Sequence, residues 1–90
     1  MNKIIITVVG KDTVGIIAKV CTYLSEHKVN ILDISQTIVQ DYFNMMMVVD
    51  ASGCEVDFDT LSDALDGIGQ DIGVSIRTQS QEIFDSMHRV

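Results

Sequence analysis

Basic residues are scarce in this chain. Its 90 residues include six Lys and Arg against 13 Asp and Glu, a formal charge of −7. No Lys or Arg occurs between Lys28 and Arg77, while Asp33, Asp41, Asp50, Glu55, Asp57, Asp59, Asp63, Asp66 and Asp71 all do. A surface of that sign repels phosphate backbones and anionic lipids, and no basic patch interleaves with aromatic side chains, so nucleic acid is not expected as a partner. Cysteine is also rare. Cys21 and Cys54 make no disulfide framework, and neither has a Cys or His neighbour at zinc-ligand spacing, so no metal and no cofactor are expected. No apolar run approaches transmembrane length, so no membrane partner is expected. The apolar run within Met1 to Val9 is too short for a signal peptide, lacks a small-residue cleavage site and meets the charged pair Lys11-Asp12 at once. The expected compartment is the cytoplasm.

What the chain does have is apolar content of 47% and a mean hydropathy of +0.27, enough to fold as one domain with a modest core. Lys3 to Val9 is short and rich in β-branched residues, which predicts a strand; either Ile4-Ile6-Val8 or Ile5-Thr7-Val9 would face outward. A helix is expected from about Val14 to His27, with Ile17, Val20, Cys21 and Leu24 on its apolar face and Val29-Asn30 ending it. Ile31 to Gln40 alternates Leu32, Ile34 and Ile38 with Asp33, Ser35 and Thr37, the pattern of a half-buried strand. Gln36 interrupts the apolar face and needs a partner. Phe43 to Val49 reads as the returning strand of a hairpin, with Met45, Met46 and Met47 as adaptable filler. After a loop with Ser52-Gly53 as its turn signal, Asp57 caps a second helix striped by Phe58, Leu61, Leu65, Ile68 and Ile72, and Gly73 stops it. Val74 to Thr78 is the last strand, with Val74 and Ile76 inward. Ser80 then caps a short tail helix bearing Ile83, Phe84, Met87 and Val90.

This order gives an α+β fold, a ferredoxin-like βαββαβ with a four-stranded antiparallel sheet, both main helices on one face and a short C-terminal helix. Residues 1–79 form the body and 80–90 the tail of one domain. Strands two and four fall at the edges. Strand two carries no Lys or Pro to blunt its edge, which favours pairing with a second copy.

The stretch Gly10-Lys11-Asp12-Thr13-Val14-Gly15-Ile16 is the first strand-to-helix turn. Gly10 allows a sharp turn, Asp12 or Thr13 can cap the helix, and Gly15 leaves room for a ligand or for close helix–sheet packing. Free N–H groups and the positive dipole end favour a carboxylate there.

The run Gly10-x-Asp12-x-x-Gly15-Ile16-x-Ala18-x-Val20, followed by Leu24 and by Asn30-Ile31-x-Asp33-x-x-Gln36, resembles the ACT domain. It is most similar to the branch found in formyltetrahydrofolate deformylase and in the glycine-cleavage repressor. The tail resembles the ending of small stand-alone bacterial ACT-domain proteins. Where many relatives carry an Arg-Pro pair, this chain has Thr13-Val14.

The resemblance implies a module that associates and binds an amino acid or related metabolite between the first βα turn of one subunit and the second strand of its partner. The ligand-binding residues it implies are Lys11, Asp12, Thr13, Val14, Gly15 and Ile16, whose backbone would meet a carboxylate. With them come Asn30, Ile31, Leu32 and Asp33, of which Asn30 and Asp33 would meet an ammonium or polar group. The expected function is therefore a small regulatory sensor at a homodimer interface. The alternative is a ligand-free dimerisation module or one that recruits a protein partner. An enzyme is not expected, because His27 and His88 lie far in sequence from any nucleophile flanked by oxyanion-type glycines.

Overall fold

The computed structural model describes residues 2–11 and 15–82. Six elements follow in order: β1 (Lys3–Lys11), α1 (Ile16–Glu26), β2 (Asn30–Val39), β3 (Tyr42–Asp50), α2 (Phe58–Ile72) and β4 (Val74–Ser80). β1 pairs antiparallel with both β3 and β4, and β2 adds to the far side of β3, so the sheet order is β2-β3-β1-β4. This is the expected ferredoxin-like arrangement, with strands two and four at the edges.

Alternation along the strands sets the core. Ile4, Ile6 and Val8 of β1, Phe43, Met45, Met47 and Val49 of β3, and Val74 and Ile76 of β4 are buried on one face. Ile16, Val20 and Leu24 of α1 and Leu61 and Leu65 of α2 complete the same cluster. Of the two sets that strand one could turn outward, it is Ile5-Thr7-Val9; Val9 is exposed, yet Ile5 is buried. The methionine run divides by the period of two: Met45 and Met47 are fully buried, and Met46 is 42% exposed.

The ends of α2 are as expected. The Asp57 carboxylate accepts a hydrogen bond from the Thr60 N–H at 2.8 Å, and Gly73 closes the helix in the left-handed region at φ 79°. Hydrogen bonds from the Thr60 side chain and backbone hold the Asp57 carboxyl below the usual carboxylate range. Ser52 does the same for Asp50, its hydroxyl donating at 2.6 Å and its N–H at 3.0 Å.

Several expectations are corrected. Gly10 makes no turn: it sits inside β1, opposite Phe43 and Val74. A Cβ there would lie 2.8 Å from Val74 Cγ1, so glycine is required by the closeness of β4. Gly15 is the N-cap of α1, at φ 91° with no side-chain hydrogen bond; Asp12, Thr13 and Val14 lie outside the described residues. Val20 and Leu24 are buried on the apolar face of α1 as expected, with Cys21 partly buried beside them, but Ile16 and not Ile17 completes that face, and Ile17 is exposed. The helix ends before Val29-Asn30: α1 closes at Glu26, Lys28 leaves it through the left-handed region at φ 60°, and Asn30 opens β2 opposite Asp50. Ser80 closes β4 opposite Ile4, and Gln81 and Glu82 after it are helical, in keeping with a cap at Ser80; the tail positions Ile83, Phe84, Met87 and Val90 lie outside the described residues.

β2 departs most from expectation. It reads as half-buried in sequence, but every residue from Leu32 to Val39 is exposed. Opposed residues share a sheet face, and Ile34, Gln36 and Ile38 oppose the buried Met47, Met45 and Phe43. They therefore stand on the helix side, beyond the reach of the helices that bury β3, β1 and β4.

The glycines of α2 separate propensity from packing. Gly67 faces open space, whereas a Cβ on Gly69 would lie 2.7 Å from the Val74 carbonyl oxygen and 3.0 Å from Ile76 Cγ1. Gly67→Ala should raise stability by up to about 1 kcal/mol through helix propensity. Gly69→Ala should lower it by about 1–3 kcal/mol through overpacking; urea unfolding midpoints of the two variants will read the opposite signs.

The low carboxyls predict acid sensitivity. A group whose pKa is depressed by folding stabilises the fold above its unfolded pKa, and that stability is lost as pH falls through the folded value. Urea unfolding between pH 7 and pH 2 should show stability dropping on the acid limb. Asp57→Asn, which keeps a capping oxygen that does not titrate, should flatten part of that drop, and Asp57→Ala should lower stability already at pH 7.

Candidate functional site

The residues singled out by the sequence fall into two groups at opposite ends of the sheet. Lys11 ends β1 opposite Tyr42, and Gly15 and Ile16 begin α1 after it. α1 then carries the chain back to Asn30, which opposes Asp50, as Lys3 does on the other side of β3. The eight steps from Lys3 to Lys11 correspond to about 26 Å at the usual strand rise. Within one chain Lys11 and the start of β2 do not meet.

At the first end, the ladder of α1 begins with the Lys19 N–H donating to the Gly15 carbonyl at 3.0 Å. The N–H groups of Ile16, Ile17 and Ala18 precede it and so have no carbonyl of their own helix to bond. No acidic residue occupies the first turn. Among the described residues a Cβ on Gly15 would meet nothing within 4 Å, so this glycine serves its left-handed conformation rather than close helix–sheet packing.

At the second end, an open groove of about 430 Å³ lies between α1 and the start of β2, lined by Cys21, Ser25, Lys28, Val29, Asn30 and Ile31. Asn30 and Ile31 were singled out by the sequence. Cys21, Ser25 and Lys28 were missed, although they succeed one another at helical spacing along one side of α1 and its exit. Burial pushes the Cys21 thiol up, which keeps it protonated and a weak nucleophile. Lys28 brings a positive charge to a region where the sequence is otherwise acidic.

A bulge between Ile31 and Asp33 inserts Leu32 and shifts the register of β2 against β3. Asp33 thereby opposes Val48 on the face away from the helices, and its carboxylate accepts the Ile34 N–H at 2.9 Å. Asp33 and the groove are thus on different sides of the sheet. Next to the groove, His27 Nδ1 and Glu55 Oε1 are 3.0 Å apart, and the His27 ring lies 4.4 Å from that of Tyr23. These contacts tie the end of α1 to the loop before α2. Among the described residues no group of three or more His, Cys, Asp or Glu is arranged to hold a metal, and no helix is long and apolar enough to cross a membrane.

Comparison with known proteins agrees with the fold. A UPF0237 protein of Bifidobacterium longum is 63% identical over 90 residues, covering 100% of both chains. An ACT domain protein from Streptococcus pneumoniae superposes with a TM-score of 0.81 at 45% identity, over 93% of this chain and 94% of that one. A formyltetrahydrofolate deformylase from Pseudomonas syringae shares the fold at a TM-score of 0.82 and 24% identity, over 89% of this chain and 28% of the deformylase. The family model for the ACT domain matches residues 2–79, and the chain belongs to the ACT domain family.

Proposed function

We propose that two copies of this chain form a regulatory module that binds an amino acid or a related small metabolite where the first βα turn of one copy meets the start of β2 of the other. The observation that carries this reading is the separation of the two residue groups in one chain, combined with an edge of β2 that no other described strand pairs. Antiparallel apposition of two β2 edges sets the start of one strand beside the end of the other. The end of β2 is the Lys11 end of the sheet, since Val39 opposes Tyr42 and Tyr42 opposes Lys11. Two such composite sites would form in each dimer.

In each of them the open helix start at Gly15 and Ile16 offers N–H groups and a positive dipole end to a carboxylate. Lys11, Asp12, Thr13 and Val14 supply the rest of that turn. Asn30, Ile31 and Leu32 of the other copy supply a polar contact and apolar walls, and Lys28 adds a cation. Asn30 opposes Asp50 and Asp33 opposes Val48, so the two side chains share the outer face with Asn30 at the rim of the groove, and polar recognition falls to the pair. Catalysis is not part of the proposal: the Cys21 thiol is held protonated, and His27 is engaged by Glu55 at the end remote from Gly15.

The second reading, a ligand-free dimerisation or partner-recruiting module, draws on the exposed apolar residues Ile34, Ile38, Val39 and Tyr42 along the same edge. Thermal unfolding with a panel of amino acids at millimolar concentration separates the two. A ligand present at a hundred times its Kd adds about 2.7 kcal/mol, and each kcal/mol moves the midpoint of a domain this size by roughly 4–8 °C. The expected result is a clear upward shift with one class of amino acid, lost in Asn30→Ala or Asp33→Ala. A dimer whose midpoint no amino acid moves would establish the second reading instead.

A further inference from the structure

The register in which two copies would join can be read from β2. We propose that the segment Asp33–Val39 pairs antiparallel with itself across a two-fold axis, with Gln36 opposite the partner's Gln36; this rests on the homodimer reading above.

The uninterrupted part of the strand is short. The bulge at Leu32 breaks its ladder on one side, and Gln40, at φ 56°, turns the chain into the hairpin on the other. Seven residues lie between, and Gln36 is their midpoint. Side-by-side antiparallel pairing of identical strands requires the axis to be perpendicular to the sheet, so both copies keep their helices on one side. Facing positions must then share a sheet face, and a slip of one residue is forbidden because it would turn every side chain over. The neighbouring allowed registers, centred on Ser35 or Thr37, pair only five of the seven residues.

Side-chain chemistry selects the same register. With Gln36 on the axis, Ile34 faces the partner's Ile38, and Ile38 the partner's Ile34. All of these stand on the helix side, where Ile34 is 43% and Ile38 55% exposed in the single chain. Gln36 lies between them. An amide carries both donors and an acceptor, so two copies of it can satisfy each other. Either neighbouring register would set the amide against an isoleucine, where a desolvated polar group without a partner is costly. A lone polar residue in an apolar seam fixes pairing in the same way in coiled coils. On the outer face Ser35 faces the partner's Thr37. Asp33, the one charge in the segment, faces the partner's Val39 and not its own copy. Beyond the bulge, the exposed Lys28 arrives at the same end of the seam as the partner's Asp41, an attraction repeated by symmetry.

Cysteine cross-linking tests the register. Gln36, Ser35 and Thr37 are all exposed in the single chain, so replacing them leaves its core intact. Facing positions in an antiparallel pair fall within the span a disulfide bridges, while positions two residues out of register do not. Under mild oxidation Gln36→Cys should form a covalent dimer at least tenfold faster than Ser35→Cys, Thr37→Cys or the unmodified chain. Mass spectrometry should find the bond between the two introduced thiols. Gln36→Glu should weaken the dimer at least tenfold at pH 7 in sedimentation, with recovery below pH 5 as the facing carboxylates are protonated. Faster bridging by Ser35→Cys or Thr37→Cys would overturn the register. So would a dimer in which none of the three bridges and Gln36→Glu has no effect; both results leave the dimer itself standing. A wild-type chain that sediments as a monomer at high micromolar concentration would remove the homodimer reading and the register with it.

Discussion

β1 is hydrogen-bonded along both edges, and the rest of the molecule is arranged by that fact. Its inward residues Ile4, Ile6 and Val8 are the floor on which both helices rest, together with Met45 and Met47 from β3 and Ile76 from β4. The closeness this demands appears at two glycines. Gly10 leaves no space for a Cβ against Val74, and Gly69 brings α2 down onto the Val74 carbonyl. Both contacts are with the first residue of β4. The α2–β4 corner is thus drawn tight, and the burial of Leu61, Leu65, Val74 and Ile76 follows from it.

The opposite edge is built differently. Among the described residues nothing covers the helix side of β2, and Ile34 and Ile38 are exposed there beside buried neighbours on β3. Leaving apolar area of that kind exposed forgoes hydrophobic stabilisation of about 25 cal/mol per Å². A strand with free backbone groups and no blocking Lys or Pro is also a template for further pairing. The described fold therefore combines a closed, tightly packed side with an open one, and the proposed pairing of two copies would fall on the open side.

The same topology explains why the proposed site draws its two halves from different copies. In a βαβ crossover the helix returns the chain to the end of the sheet where it began, so a residue following β1 and a residue opening β2 must be remote. The polar and cationic groups follow this division: the open helix start lies at one end, and Asn30, Lys28 and the low Asp50 carboxyl lie at the other. A small zwitterion needs both kinds of group within a few ångströms, which one chain alone does not provide.

Much of this was legible in the sequence. The six elements, the Asp57 cap, the Gly73 stop and the inward places of Val74 and Ile76 all follow from local rules, since period, capping and glycine preference act over a few residues. The motif spacing also marked Gly15 and Asn30 as residues to examine. Only the tertiary structure decided that Gly10 is a packing glycine, that Lys28 takes the left-handed turn after α1, and that a bulge at Leu32 sets Asp33 on the outer face of the sheet. It alone showed that β2 is exposed on both faces. Periodicity reports which side chains seek burial and is silent on what is available to cover them. Contacts between distant segments depend on how the crossovers place whole elements, and no local signal encodes that.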